Sequence, residues 1–169
     1  LYCFIFVSFF QKIIFVEGIA EQLLIPKLFE KHFGKKLEKM NCQVVSVNGI
    51  AFKNFLEVIK NGYYIKAAVL TDSDSATQTK NRAPELKKTY DSDKIFVSIS
   101  GENTFEKDIV KANTIGAGKT IIKNALKSTR PRKFGSEGDA LFRNALDVNE
   151  VYTWIEEYKS EFSFDLLSE

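Results

Sequence analysis

Lys12-Ile-Ile-Phe-Val16 runs through Glu17-Gly18 into Ile19-Ala-Glu21-Gln-Leu23-Leu24-Ile-Pro-Lys-Leu28-Phe29-Glu-Lys-His32-Phe33. The first five residues form a β-branched and aromatic run without a polar interior position, as a strand buried on both faces requires. Glu17-Gly18 stops the run. From Ile19 to Phe33 the apolar residues, Leu23, Leu24, Leu28 and Phe29 among them, recur at helical spacing. A strand that passes within two residues into a long helix opens a β-α-β unit, and the rest of the fold can be read outward from it.

The alternation continues downstream. Gln43 to Val47 reads as a second strand ended by Asn48-Gly49, and Ala51 to Lys60 as a helix with Phe52, Phe55, Leu56 and Ile59 on one face. Ile65 to Thr71 is a third strand that enters Asp72-Ser73-Asp74, and a polar stretch follows from Ser75 to Arg82. A short helix over 84–89 and a fourth strand from Lys94 to Ile99 complete the pattern. Strands alternating with helices predict parallel pairing through right-handed crossovers, hence an α/β fold with a four-stranded parallel sheet flanked by helices. Beyond Gly101 the pattern is helical, over 104–112, 118–127, 139–146 and 148–158. The expected division is an apolar remnant over 1–11, an α/β core over 12–112 and a helical C-terminal extension over 113–169.

Composition bounds the partners. The 169 residues are 44% hydrophobic and 27% charged, ordinary values for a globular chain, and the net charge of +2 provides no global field for nucleic acid. Any basic surface must be local, and Lys127-Ser-Thr-Arg130-Pro-Arg-Lys133 is the candidate, as a solvated loop or a phosphate-holding segment. Cys3 and Cys42 form no spaced motif, so a reducing, cytoplasmic setting is expected. The apolar opening from Leu1 to Phe10 is shorter than the roughly 20 residues of a membrane span and lacks the basic start of a signal peptide. It reads instead as a buried element whose partner lies upstream.

In an open parallel sheet, ligands bind beyond the carboxyl ends of the strands. Glu17 falls there after strand one, and Asp72 with Asp74 after strand three. Asp72 and Asp74 share one side if the backbone stays extended, and Glu17 and Glu21 approach across the first turn of a helix. Like charges gathered in this way need a compensating cation, and hard oxygens suit Mg²⁺ or Mn²⁺. Asp-x-Asp at a strand end also serves ordinary turn and cap chemistry.

Four stretches carry a more specific resemblance. Val16-Glu17-Gly18-Ile-Ala-Glu21 followed by Leu23-Leu24-Ile25-Pro26, Val47-Asn48-Gly49-Ile-Ala-Phe52-Lys-Asn-Phe55, Leu70-Thr71-Asp72-Ser73-Asp74, and Thr104-Phe105-Glu106-Lys-Asp108 occur in order. Together they resemble the Toprim domain of OLD-family (overcoming lysogenization defect) ATP-dependent endonucleases. The resemblance implies two-ion phosphodiester hydrolysis of DNA with Mg²⁺ or Mn²⁺. It assigns Glu17, Asp72 and Asp74 to one ion and Glu21 and Glu106 to the second, with Glu102 and Asp108 nearby. A lysine that neutralises phosphate charge is also implied. Lys133 is the candidate, although Lys133-Phe134-Gly135 departs from the family pattern, and Lys119 and Lys127 are alternatives. The implied partners are DNA, an N-terminal ABC-type ATPase and further copies of the protein, in a setting of anti-phage defence. A Toprim domain acting on RNA and a non-catalytic Mg²⁺-binding module are the other readings.

Three further features point elsewhere. Gly116-Ala-Gly-Lys119-Thr120 is similar to the end of a phosphate-binding loop, but Asn113 stands where the leading glycine is required and no strand precedes it, so this chain is not expected to bind ATP. His32 belongs to a helix end with no second histidine. Trp154, with Tyr152 and Tyr158, is expected to pack the tail helices rather than stack on bases.

Overall fold

The computed structural model describes residues 11–47, 51–74 and 78–169. The opening apolar segment, the Asn48-Gly49 strand stop and Ser75 lie outside the described residues. The chain divides into two compact units, Leu1–Asn103 and Thr104–Glu169.

The first unit is a sheet in the order β2-β1-β3-β4, with every pairing parallel. Its strands are β1 (Lys12–Val16), β2 (Cys42–Ser46), β3 (Lys66–Thr71) and β4 (Ile95–Ile99). The helices are α1 (Ile19–Phe33), α2 (Phe52–Lys60) and α3 (Arg82–Tyr90). Beyond its exposed first residue Lys12, β1 is apolar because both its faces are covered. Ile13 and Phe15 join Val69, Val97, Phe52, Leu56, Ile59 and Tyr90 in one core, whereas Val16 joins Leu37, Cys42 and Val44, with Ile25 and Phe29 of α1 against them. Burial of this kind contributes about 25 cal/mol per Å² of apolar surface, which makes the central strands the rigid base of the strand ends.

α1 ends at Gly34 in the left-handed conformation, φ 65°, the usual glycine stop. Its apolar stripe is narrower than expected, since Leu24 is buried while Leu28 is 45% exposed. α3 starts at Arg82 rather than at Pro84. Pro84 thus sits in the first turn, where its missing N–H costs no hydrogen bond.

The second unit contains α4 (Phe105–Ala112), α5 (Gly116–Thr129), α6 (Pro131–Lys133), α7 (Asp139–Arg143), α8 (Val148–Ile155) and α9 (Lys159–Leu166), with a π-helical turn over Phe134–Gly138. Val110, Ile122, Leu126, Phe142, Trp154, Ile155 and Phe162 form its core, so Trp154 is a packing residue as expected. The basic segment is not a loop: Lys127 closes α5 and Lys133 closes α6. Gly116 opens α5 at φ 58°, and a Cβ at Gly118 would meet the Asn113 backbone at 2.9 Å. Both glycines of the phosphate-loop look-alike therefore serve a helix start and a close helix approach. Among the described residues no helix is long and apolar enough to cross a membrane.

Candidate functional site

The carboxylate edge grows out of the two central strands. β1 and β3 pair in parallel from Lys12↔Lys66 to Phe15↔Val69, so the residues that follow each strand emerge side by side. Glu17 leaves the end of β1 and its Oε1 receives three donors. These are the hydroxyl of Thr71, the backbone N–H of Asp72 at 3.0 Å and Nη2 of Arg82 at 2.8 Å. The same Nη2 donates to Oδ2 of Asp74 at 2.8 Å, and Thr79 Oγ1 adds a bond to that oxygen at 3.2 Å. One nitrogen therefore bridges two carboxylates. The side chains of Glu17, Arg82 and Asp74 are 18%, 21% and 26% exposed, screened enough for such charge-assisted bonds to hold.

The loop after β3 is shaped for this contact. The extended backbone expected through Asp72-Ser73-Asp74 stops at Thr71, and Asp74 takes a left-handed φ of 49°. Same-side pairing of Asp72 and Asp74 by a period of two does not apply, because that period belongs to strands only. Aspartate tolerates the left-handed region better than most residues. Ser73 anchors the loop to the end of β4: its N–H donates to Ser100 Oγ at 3.0 Å, and its hydroxyl to the Glu102 carbonyl at 3.0 Å.

Arg82 stays charged here. Burial pulls its pKa down, but the charges and hydrogen bonds of Glu17 and Asp74 raise it above the ordinary arginine value overall. Its Nε is buried without a hydrogen-bond partner. A pocket of about 410 Å³ opens beside it, with Lys53, Thr79, Asn81 and Glu85 on its walls. Neither Arg82 nor Thr71 stood out in the sequence. Arg82 closes a polar stretch there, with no local pattern to join it to a carboxylate 65 positions away.

The remaining expected site residues are held as follows. Glu21, in the first turn of α1, accepts the Gly18 N–H at 3.1 Å and is 6% exposed, which is helix-start chemistry. In the second unit Glu106 is 3% exposed, and Lys159 Nζ lies 3.1 Å from its Oε2. Lys133 Nζ rests 4.4 Å from the centre of the Trp154 ring, and the Arg130 guanidinium 4.5 Å from that of Tyr158. Lys119 donates to the Asn144 carbonyl at 2.7 Å. Asp108 and Lys127 lie on α4 and α5 of the same unit. Among the described residues no three carboxylates, cysteines or histidines gather closely enough to hold an ion as they stand.

A parallel sheet in this order, flanked by helices and carrying acidic residues past its two central strands, defines a Toprim-type α/β fold with a helical C-terminal unit. Residues 9–74 match the family model described as the overcoming lysogenization defect protein-like TOPRIM domain. Residues 9–74 are thus similar to an OLD-like Toprim domain. Its fold is similar to the C-terminal region of the Xanthomonas campestris pv. campestris OLD protein, with a TM-score of 0.70, 20% identity, and 96% of this chain and 85% of that one covered. The C-terminal region of the Burkholderia pseudomallei OLD protein gives a TM-score of 0.69 and 24% identity over 95% and 88%. No curated protein matches the chain by sequence. The family match contains Glu17, Glu21, Asp72 and Asp74, whereas Arg82, Glu106 and Lys133 lie beyond it.

Proposed function

We propose that this chain is the nuclease part of an OLD-type protein, a Mg²⁺- or Mn²⁺-dependent endonuclease that hydrolyses DNA phosphodiesters. The observation that carries the reading is the meeting of Glu17 and Asp74 on one cation at the carboxyl edge of the central strands. The donors suit a hard divalent ion in kind, being carboxylate oxygens. In arrangement they suit it once Arg82 withdraws. Glu17, Asp72 and Asp74 would hold the ion. When bound, such ions activate water and stabilise the leaving 3′ oxygen. The chain's own part is to fix Glu17 through Thr71 and the Asp72 N–H, and to hold the loop through Ser73 and Ser100. The resemblance adds Glu21 and Glu106 as candidates for a second ion, and Glu106 is held by Lys159 within its own unit. Lys133 is the phosphate-neutralising candidate, on condition that it leaves the Trp154 ring. The proposal extends to an N-terminal ATPase partner, self-association, cytoplasmic anti-phage action and no ATP site in this chain.

The bridging arginine favours a second reading, a non-catalytic module in which the guanidinium replaces the ion permanently. Supercoiled plasmid incubated with the purified chain and Mn²⁺ separates the two. Nicking or linearisation that EDTA stops and Asp72→Ala reduces at least about 100-fold is the expected result. Plasmid left intact by the folded chain, both alone and with an OLD-type ATPase half restored, would establish the module instead.

A further inference from the structure

We infer that Arg82 is the resident counter-ion of the Glu17–Asp74 pair, and that a divalent ion reaches these carboxylates only by displacing its guanidinium into the neighbouring pocket. The inference rests on the metal-dependent reading above and concerns how the ion gains entry. A single nitrogen, Nη2, lies 2.8 Å from both Glu17 Oε1 and Asp74 Oδ2, where a bridging cation belongs. Two carboxylates this close would repel each other without it. A guanidinium and a metal ion cannot share that position, so loading is an exchange of cations.

The surroundings allow the exchange. Arginine has a long stem that can swing its head without moving the backbone, and Arg82 is the first residue of α3. The pocket of about 410 Å³ lies beside it, and Glu85, one turn further along α3, stands on its wall as an alternative anion. The buried Nε has no hydrogen-bond partner in the bridging position, so its movement breaks no bond there. Thr71 and the Asp72 N–H remain on Glu17 throughout, so that carboxylate keeps its place when the arginine leaves.

Calorimetric titration of Mn²⁺ into the whole chain, without nucleic acid, tests the inference. Arg82→Gln removes the competing charge and should bind Mn²⁺ about tenfold more tightly than the parent chain. Its melting temperature should fall in EDTA and rise on adding Mn²⁺ by more than that of the parent. Arg82→Lys keeps a charge but loses the planar fork, and its affinity should lie between the two. It also keeps the test open if the glutamine variant does not fold, because affinity equal to the parent in Arg82→Lys would then overturn the exchange. Binding by the parent with equal or weaker binding by Arg82→Gln overturns the inference and leaves the metal reading standing. Binding to none of the three overturns both.

Discussion

Each unit of the chain presents a carboxylate held by a cation, and the two pairs are built differently. In the second unit Glu106 and Lys159 are balanced, one acid against one base, with the acid 4% and the base 33% exposed. The aromatic ring of Tyr152 lies 5.5 Å from the ammonium. In the first unit one guanidinium serves two carboxylates at a partly open edge. A balanced buried pair joins α4 to α9 and has no further charge to satisfy. The pair at the strand ends depends on one cation that two carboxylates share. A cation shared between two carboxylates, more than the presence of charge, separates the candidate reaction centre from a structural bridge.

The largest effect should come from breaking the balanced pair. Lys159→Met leaves the Glu106 carboxylate buried without its partner and should cost about 3 kcal/mol in urea unfolding. A loss near zero would mean that Glu106 is not committed to Lys159, and the contrast between the units would collapse. Burial lowers the Lys159 pKa, but Glu106 raises it by more, so the folded value stands above the unfolded one. The contribution is therefore complete below the ordinary lysine range and is lost only at strongly alkaline pH.

Glu17→Gln should cost less, about 1 kcal/mol, because its amide oxygen still accepts from Thr71 and Asp72, and repulsion with Asp74 falls as attraction to Arg82 is lost. Plasmid cleavage should nevertheless disappear. A stability loss equal to that of Lys159→Met would place Glu17 with the structural pairs.

The smallest effect concerns a third carboxylate. The Tyr90 hydroxyl donates to Glu57 Oε1 at 2.6 Å, and that bond, with burial and the Glu57 charge, pushes the phenol up to about 12. The folded value exceeds the ordinary one near 10, so this contribution is complete below pH 10 and fades between 10 and about 12. Tyr90→Phe should lose roughly 0.5 kcal/mol at neutral pH. It should also flatten the alkaline fall of the urea midpoint, and an unchanged slope would deny the bond.

The frame of this molecule is legible in its residues because β1 and its neighbours are apolar on both faces, a pattern that local sequence states directly. The same is true of Glu17 and Asp72, which stand where strands end. Arg82 was not legible, because its role depends on a contact 65 positions away and on the turn at Asp74. Lys133 carries basic charge in any reading of the sequence, but only the packing of α6 against Trp154 sets its ammonium over a ring. The exposed side of α1 at Leu28 was likewise invisible, since periodicity reports which residues share a face but not how much of that face is covered.

The order of the strands also has a consequence for synthesis. Thr71 and Glu17 are 54 positions apart, and no hairpin can bring parallel neighbours together. Such long-range pairings form late and slowly. As the chain emerges from its N-terminus, Glu17 and Asp74 are both present before Arg82. Arg82 follows Asp74 by only eight positions, however, so the slow pairing of β1 with β3 gathers both carboxylates and their shared cation together.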